Sequence, residues 1–323
     1  MNLSELTAAI APLDLRSCLI SRNGRLLLEH YRDDLTRKEL ARINSCTKSI
    51  LSASICIAMD QGIVPSANTR LSDFFPQLTR DHDPRKAEIT LEHLLTMTAG
   101  WSWDEFGGRN SFPKMTRSAH WVHYVLEQPL ENTPGTRMVY NSGNSQLLSA
   151  ILAMCSGMST AQFTEQHLLR PLGIEAYEWE EDPQGVHTGG FGMKLRPIDL
   201  WRFGQLYLQQ GMWEGRQLIS RTLVRRAVSP AVGTEPPRHG SYGWHWWTDR
   251  FAGAVSGVAV PDAASNAVEY FYARGYGGQF VYCLPELDVV VVLTQDQQRH
   301  KRNSIDVFRE RIAPVLVGEN PPN

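Results

Sequence analysis

The sequence predicts an α/β fold of the α+β type, in which both chain ends build one antiparallel sheet flanked by helices. Strand patterns lie near both ends of the chain, and those near the carboxyl end are rich in Val, Tyr and Phe. Helical patterns broken by Pro and Gly fill the middle. We therefore expect a discontinuous sheet domain, residues 1–75 and 216–323, around an inserted all-helical domain, residues 76–215. A cleft between two such domains is a natural place for an active site.

The first elements are a short helix and a β-hairpin. The helix is expected over residues 3–11, and the strands Arg16–Ser21 and Leu26–Tyr31 flank the turn Arg22-Asn23-Gly24. A long apolar helix should then run from Ser45 to about Gly62, because no Pro or Gly interrupts this stretch and glycine is a good carboxyl-terminal cap.

The later elements are helices followed by strands. Helical patterns cover five segments: Leu91–Met97, Ala119–Glu127, Ser145–Met154, Thr160–Leu169 and Pro197–Gln209. Strand patterns cover three segments near the end: Ala267–Ala273, Gln279–Leu284 and Val289–Thr294. A final helix is expected over Ser304–Val315.

Composition limits the class of function. The chain has 323 residues, 42% hydrophobic and 20% charged, which is ordinary for a globular protein with a sizeable core. Its formal net charge of −2 gives no sign of nucleic-acid binding. The amino terminus has no basic region followed by an apolar core, and no stretch approaches the ~20 apolar residues that span a bilayer. We expect a cytoplasmic protein, although a chain that had lost a leader and was periplasmic would have the same sequence.

The cysteine and histidine spacing does not indicate a metal site. Five widely spaced cysteines in mostly apolar segments are typical of buried free thiols. His120 and His123 share a helix face, but no nearby Cys or carboxylate completes a ligand set. We expect no metal and no organic cofactor. Tryptophans cluster at 101–103 and 244–247, either as core or as the lining of a substrate cleft.

Ser45-Cys46-Thr47-Lys48 is the strongest catalytic candidate. Side chains at i and i+3 are neighbours on a helix, so Ser45 and Lys48 should meet. A desolvated lysine can lose its proton and activate a hydroxyl as a nucleophile. Cys46 is a weaker candidate because it should point to another helix face. The pattern thus predicts acyl transfer through a covalent serine enzyme.

A second S-x-x-K pattern, Ser111 to Lys114, serves as an internal comparison. Pro113 falls inside it, and no comparable apolar helix follows directly. We interpret it as a loop that leads into the helix near residues 118–127. Gly189-Gly190-Phe191-Gly192 lacks the strand-before, helix-after context of a nucleotide loop, so we interpret it as a turn entering the helical segment.

With these segments the chain resembles the penicillin-recognising serine hydrolases, particularly the class C β-lactamase-like branch. That branch includes D,D-peptidases, family VIII-type esterases and nylon-oligomer hydrolases, and its first motif is S-x-x-K. The resemblance extends over four further segments: Ile89–Gly100, Pro134–Leu152, Leu195–Leu208 and Ala273–Thr294. It implies a β-lactamase/transpeptidase-like fold with the site between the sheet and the helical domain.

The resemblance implies that Tyr140 belongs to the second motif, Y-x-N, facing the serine. A tyrosine beside a lysine can act as a base when it is a phenolate, or relay a proton when it is neutral. Here Ser142 stands where the motif has asparagine, at a position that binds substrate. A hydroxyl donates one hydrogen bond where an amide NH₂ donates two. This weakens the case for β-lactam recognition.

The third motif, K-T-G, has no lysine in this chain. Its counterpart is Tyr276-Gly277-Gly278, followed by Gln279, and we expect the first three residues to bind substrate. Glycine lets this strand approach the substrate closely. The N–H groups of Ser45 and Gln279 should form the oxyanion hole, although a one-residue shift to Gly278 remains open. The missing lysine removes a usual anchor for a substrate carboxylate.

These observations predict a serine hydrolase that cleaves a carboxylic ester or small amide through an acyl-enzyme, with Ser45, Lys48 and Tyr140 as catalytic residues. The alternative is a β-lactamase or D,D-carboxypeptidase acting on a lactam or peptide. A non-catalytic binding homologue is a further alternative, but its expected signature, loss of Ser45, Lys48 or Tyr140, is not seen. The partners we expect are small-molecule substrates, without nucleic acid or a membrane span. The oligomeric state stays open.

Overall fold

The computed structural model describes residues 3–11, 13, 15–107, 109, 111–236, 238–252, 267–296 and 304–317. Within these ranges the strands are β1 (Ser17–Arg22), β2 (Arg25–Tyr31), β3 (Ala41–Arg42), β4 (Glu178–Trp179), β5 (Met193–Leu195), β6 (Met212–Trp213), β7 (Arg216–Gln217), β8 (Val232–Gly233), β9 (Ser241–Tyr242), β10 (Trp247–Ala252), β11 (Ala267–Gly275), β12 (Gln279–Leu284) and β13 (Val289–Thr294). The largest sheet is antiparallel, in the order β2-β1-β13-β12-β11-β10-β9-β8.

Strands from the two chain ends pair with each other in this sheet, one strand in from its β2 edge. Strand β1 pairs with β13 along its whole length, from Ser17 opposite Thr294 to Arg22 opposite Val289. The predicted antiparallel sheet built from both chain ends is therefore confirmed. The hairpin turn of β1 and β2 is also as predicted, because Asn23 and Gly24 both have positive φ, as a tight two-residue hairpin turn requires.

Helices pack around the sheet and form the rest of the core. Their bounds are α1 (Leu3–Ile10), α2 (Asp34–Lys38), α3 (Thr47–Asp60), α4 (Leu91–Leu95), α5 (Ser111–Arg117), α6 (Trp121–Leu126), α7 (Ser142–Ser156), α8 (Thr160–Thr164), α9 (Pro197–Leu208), α10 (Arg221–Val228), α11 (Ser304–Val307) and α12 (Ala313–Val317). A π-type turn, Phe308–Ile312, joins α11 to α12, so the predicted final helix is present.

Helix α3 is buried along almost its whole length, and its serines explain how a partly polar helix tolerates burial. Ser49 Oγ donates to the carbonyl of His245 at 2.7 Å, and Ser52 Oγ donates to the carbonyl of Trp244 at 2.7 Å. Buried hydroxyls that find partners avoid most of the desolvation cost. These bonds fix α3 against the segment that leads into β10.

Two expectations need correction. The segment 76–215 is not all helical, because it also contains the short strands β4, β5 and β6. Strands of two or three residues are too short to carry a periodic signal in their own sequence. The pattern at Ser111 lies in α5 and not in a loop. Pro113 is tolerated there because the first turn of a helix needs no N–H donor. The domain boundaries at 76 and 215 remain predictions.

The sheet also extends further than the sequence pattern indicates. Strands β8, β9 and β10 form its far edge, beyond the three strands predicted near the end of the chain. Strands β8 and β9 have two residues each, and β10 reads WTDRFA, which lacks a regular alternation of apolar residues.

Among the described residues, no single helix is long and apolar enough to cross a membrane. The pair Ser142–Ser156 and Thr160–Leu169 meets the length and composition criteria together, but the two helices are bent by 77°.

A substitution at Gly204 tests how closely α9 packs on the sheet. A Cβ at this position would lie 2.8 Å from Cγ1 of both Val281 and Val290. We expect Gly204→Ala to destabilise the fold by about 1–3 kcal/mol, the usual cost of overpacking a core. The free energy of unfolding in urea measures this effect. Gly233→Ala is the control, because nothing lies within 4 Å of a Cβ there. Equal stability of both variants would contradict the packing described.

Candidate active site

The amino-terminal end of α3 carries the S-x-x-K residues. Ser45 lies in a single 3₁₀ turn, Asn44–Cys46, directly before α3 begins at Thr47. Ser45 is half-buried, whereas Lys48 is only 1% exposed. The two side chains meet as the i, i+3 spacing predicts, with Lys48 Nζ 3.2 Å from Ser45 Oγ. An accessible hydroxyl therefore faces a buried amine.

Lys48 Nζ has two further polar contacts, both buried. It donates to Ser142 Oγ at 2.9 Å and to the carbonyl of Gly190 at 2.8 Å. These partners lie 94 and 142 residues away in sequence. A buried amine costs free energy unless its polar groups find partners. The three contacts thus hold the nitrogen at one place, beside Ser45.

The backbone of Gly190 lies next to the Lys48 amine, and there is little room for a side chain at position 190. A Cβ at Gly190 would lie 3.0 Å from Lys48 Nζ and 3.0 Å from Ser142 Oγ. The segment Gly189 to Gly192 is therefore more than the simple turn that the sequence suggested. It supplies a carbonyl to the site, and then leads through β5 to α9.

The second motif lies at the start of α7. Asn141 is the N-cap, and its side-chain oxygen accepts from the backbone N–H of Gly143 at 2.6 Å and of Asn144 at 3.3 Å. Asn141 thus starts the helix, while Ser142 points to Lys48. The hydroxyl of Ser142 also donates to the buried carboxylate of Glu105. The expected role of Ser142 in substrate binding stays a prediction.

Tyr140 lies against the amine, as expected for the second motif. Lys48 Nζ is 4.8 Å from the centroid of the Tyr140 ring. The ring stacks on Trp247 with centroids 5.7 Å apart and meets Tyr242 edge to face. Among the described residues, no hydrogen bond joins the Tyr140 hydroxyl to Ser45 or Lys48. The structure thus brings the ring to the site and leaves the catalytic role of its hydroxyl as a prediction.

The third motif forms the turn between β11 and β12. Gly277 and Gly278 both have positive φ, which explains why two glycines follow Tyr276. Gln279 begins β12, and its side-chain Nε2 donates to the carbonyls of Gln295 at 2.7 Å and Gly277 at 3.2 Å. Its side chain is used within the protein, so any contribution to an oxyanion hole comes from its backbone N–H.

Two contacts bring this turn to the candidate nucleophile. Asn44 Nδ2 donates to the carbonyl of Tyr276 at 2.7 Å, and the Cys46 thiol donates to the carbonyl of Gln279 at 3.5 Å. Asn44 and Cys46 are the two neighbours of Ser45 in the chain. The turn that precedes α3 and carries Ser45 therefore packs against the start of β12, and the oxyanion hole of Ser45 and Gln279 stays a prediction.

Cys46 is not arranged as a nucleophile. It is almost fully buried, and burial raises the pKa of its thiol well above the ordinary value. The thiolate is the reactive form, so this shift makes the side chain inert. All five cysteines are free thiols, as predicted.

His245 is a buried histidine that the sequence patterns did not single out. Its Nδ1 lies 2.9 Å from the carbonyl of Leu95, and its Nε2 lies 3.0 Å from Ser145 Oγ. A carbonyl only accepts, so Nδ1 carries the proton and Nε2 accepts from Ser145. Burial first, and the proximity of Lys48 second, lower the pKa of His245 to about 3. The imidazole is therefore neutral.

Tyr276 of the third motif forms an aromatic pair with Phe106. Phe106 and Tyr276 are 68% and 60% exposed, and their rings stack with centroids 6.2 Å apart. Beside them, Phe106 and Tyr140 help to line a cavity of about 320 Å³ whose walls also carry Glu105 and Arg238. Exposed aromatic rings of this kind are suited to contact a ligand.

Three site residues were missed by sequence reasoning: Glu105, Gly190 and His245. None of the three has a sequence spacing that relates it to Ser45. Gly190 lies within a conspicuous glycine-rich stretch, and a close backbone approach is the one signal that could have pointed to it.

Comparisons with known proteins agree with this fold. A model of the family described as Beta-lactamase matches residues 17–313. This match over most of the chain places it in the class of β-lactamase-like serine hydrolases. The chain belongs to the Beta-lactamase family.

Individual relatives are distant. D-alanyl-D-alanine-carboxypeptidase/endopeptidase AmpH of Escherichia coli K12 is 27% identical over 223 residues, which cover 61% of this chain and 57% of that protein. The chain thus spans less than two thirds of this relative.

Solved structures show the same fold at low identity. A putative 6-aminohexanoate-dimer hydrolase from Bacillus anthracis superimposes with a TM-score of 0.77 at 18% identity, covering 98% of this chain and 81% of that one. EstCE1, a hydrolase with promiscuous acyltransferase activity, has a TM-score of 0.74 at 15% identity, covering 96% and 99%.

The neutral state of His245 predicts a pH dependence of stability. Between its unfolded pKa near 6.5 and its folded pKa of about 3, the unfolded chain binds more protons. Stability should therefore fall as pH is lowered through this window. His245→Asn removes the group and tolerates the positive φ of this residue. We expect its Tm to decline less steeply than that of the wild type between pH 6.5 and 4, by differential scanning calorimetry. Parallel curves of Tm against pH for the wild type and the variant would contradict the lowered pKa of His245.

Proposed function

We propose that the protein hydrolyses carboxylic esters or small amides through an acyl-enzyme on Ser45. The observation that carries this proposal is the 3.2 Å contact between the half-buried Ser45 hydroxyl and the buried amine of Lys48. A nucleophile and its base within hydrogen-bond reach are the minimum arrangement for covalent catalysis. Membership of the family supports the class of reaction.

In the proposed acylation, neutral Lys48 accepts the proton of Ser45 as Ser45 Oγ bonds to the substrate carbonyl carbon. The proton then passes to the leaving group as the bond to it breaks. Tyr140, whose ring adjoins the amine, relays this proton or holds the leaving group. Water releases the acid by the reverse sequence, and no metal or organic cofactor is required.

The proposed oxyanion hole consists of the backbone N–H groups of Ser45 and Gln279. The contacts of Asn44 with Tyr276 and of Cys46 with Gln279 support this pairing, because they hold both chain neighbours of Ser45 against the β11–β12 segment. Donors held in place before reaction stabilise the developing charge without reorganisation.

The choice of substrate class rests on what the site lacks. Ser142 replaces the motif asparagine, and its hydroxyl contacts Lys48 and Glu105. The third motif has Tyr276 where the lysine would anchor a carboxylate. Both differences favour esters and small amides over β-lactams. We further propose that Tyr276, with Phe106, contacts an apolar group of the substrate.

Ser45→Ala tests the nucleophile. We expect turnover of p-nitrophenyl acetate or butyrate to fall more than about 10³-fold, because the covalent step is lost. Mass spectrometry should place a fluorophosphonate adduct on Ser45 in the wild type and find none in the variant. Ser111→Ala, in the second S-x-x-K pattern, is the matched control and should keep both turnover and the adduct. Undiminished turnover of Ser45→Ala would refute the mechanism.

Substrate preference distinguishes the proposed ester or amide hydrolase from the alternative, a β-lactamase or D,D-carboxypeptidase. A panel of acyl esters, linear amides and nitrocefin, together with a fluorescent penicillin, covers both classes. Fast nitrocefin turnover or stable penicillin labelling, with slow ester turnover, would favour the alternative.

Tyr276→Ala tests the aromatic pair. We expect KM for p-nitrophenyl octanoate to rise about tenfold, as loss of a buried apolar contact predicts. KM for the acetate should change less than about twofold, since its acyl group is too short to use the contact. Leu35→Ala is the control, because Leu35 is 76% exposed and contacts none of these groups. An equal change of KM for both esters would show that the ring does not contact the acyl group.

A further inference from the structure

Glu105 is a buried carboxylate that touches the candidate site. It is 7% exposed. Its Oε2 accepts from Trp103 Nε1 at 2.7 Å and from the backbone N–H of Ser142 at 3.0 Å, and its Oε1 meets Ser142 Oγ. An ionised carboxylate only accepts hydrogen bonds, and all three of these groups can donate. The side chain is thus held as an acceptor against Ser142.

This contact decides the direction of the next hydrogen bond. Because the Ser142 hydroxyl donates to Glu105, its oxygen must accept from Lys48 at 2.9 Å. The carbonyl of Gly190, 2.8 Å from Lys48 Nζ, can only accept as well. Two N–H bonds of Lys48 are therefore committed to Ser142 and Gly190.

These two hydrogen bonds leave one further direction on the Lys48 nitrogen, and Ser45 lies in that direction. A neutral amine has two N–H bonds and one lone pair. With those two N–H bonds directed elsewhere, the remaining position on the nitrogen faces Ser45 Oγ at 3.2 Å, and in the neutral amine that the proposed mechanism requires this position is the lone pair. If Ser142 instead pointed its hydrogen at Lys48, it would compete with Ser45 for that lone pair.

We propose that Glu105 is a positioning residue that, through Ser142, reserves the lone pair of Lys48 for the proton of Ser45. This inference rests on the proposed function of Ser45 and Lys48. In the step, the Ser45 proton moves to Lys48 as Ser45 Oγ bonds to the acyl carbon. Glu105 exchanges no proton and keeps its charge. Asp104, its neighbour in the chain, accepts from the N–H groups of Gly107 and Arg109 instead and has no such role.

Glu105→Gln reverses the polarity of this chain of hydrogen bonds at constant shape. The amide oxygen would take the place of Oε2, where Trp103 and the Ser142 N–H donate, and the NH₂ group would then face Ser142 Oγ. An NH₂ group donates, so the Ser142 hydroxyl would turn toward Lys48. We expect kcat for p-nitrophenyl acetate to fall on the order of 10²-fold, the scale of general-base catalysis, with KM changed less than about threefold. The rate of fluorophosphonate labelling of Ser45 should fall in proportion.

A double-mutant cycle with Ser142→Ala tests the route of the effect. If Glu105 acts through Ser142, then Glu105→Gln should change kcat less than about twofold in the Ser142→Ala background. A similar loss of kcat in both backgrounds would show that Glu105 acts through space or through the fold, and would overturn the inference. An unchanged kcat of the single variant Glu105→Gln would overturn it as well.

Two controls separate this result from other causes. Glu165→Gln removes a carboxylate that accepts from Tyr177 and Arg170, outside the contacts of the site, and should leave kcat within about twofold. Thermal unfolding of each variant shows whether it is folded at the assay temperature. Retained turnover of Ser45→Ala would instead refute the proposed function. Loss of turnover in Ser45→Ala, with normal turnover in Glu105→Gln, would refute only the role of Glu105.

Discussion

The burial of the Lys48 amine is the constraint on which the rest of the site depends. Lys48 is 1% exposed, and its amine needs polar partners inside the protein because burying it without them costs free energy. Its partners, Ser45, Ser142 and Gly190, come from three separate parts of the chain. The start of α3, the start of α7 and the glycine-rich segment before β5 must therefore be packed together before the amine is satisfied. The same three contacts orient the nitrogen toward the hydroxyl that we propose it activates.

The sheet supplies the other side of the site. Strands β1 and β13 join the two chain ends, and β12 and β11 follow β13 in the sheet, so the β11–β12 turn lies on a support that needs both ends. Asn44 and Cys46 connect this turn to the start of α3. The candidate nucleophile thus lies where the helical and sheet layers meet. A chain that lacked either end would lose the support of the turn.

Much of the fold could be predicted from local patterns. The hairpin turn at Asn23 and Gly24, helix α3 and strands β12 and β13 each have a clear periodic or turn signal in their own sequence. Strands β8, β9 and β10 could not be predicted, because they are short or irregular and exist through pairing with β11 and with each other. The helix at Ser111 was missed because a proline usually interrupts a helix, whereas the first turn tolerates one.

The sequence by itself determined which residues could carry out the chemistry. The i, i+3 spacing of Ser45 and Lys48 is a local property of a helix, and the match of Tyr140 and Gln279 to motifs placed them near that pair. Only the tertiary structure decided how the amine is used. Glu105, Ser142 and Gly190 surround Lys48 through contacts with no periodic spacing, and the direction of a hydrogen bond depends on which donors and acceptors meet in space. Burial strengthens the preference for that direction, because an unpaired polar group costs more free energy in an interior of low dielectric constant.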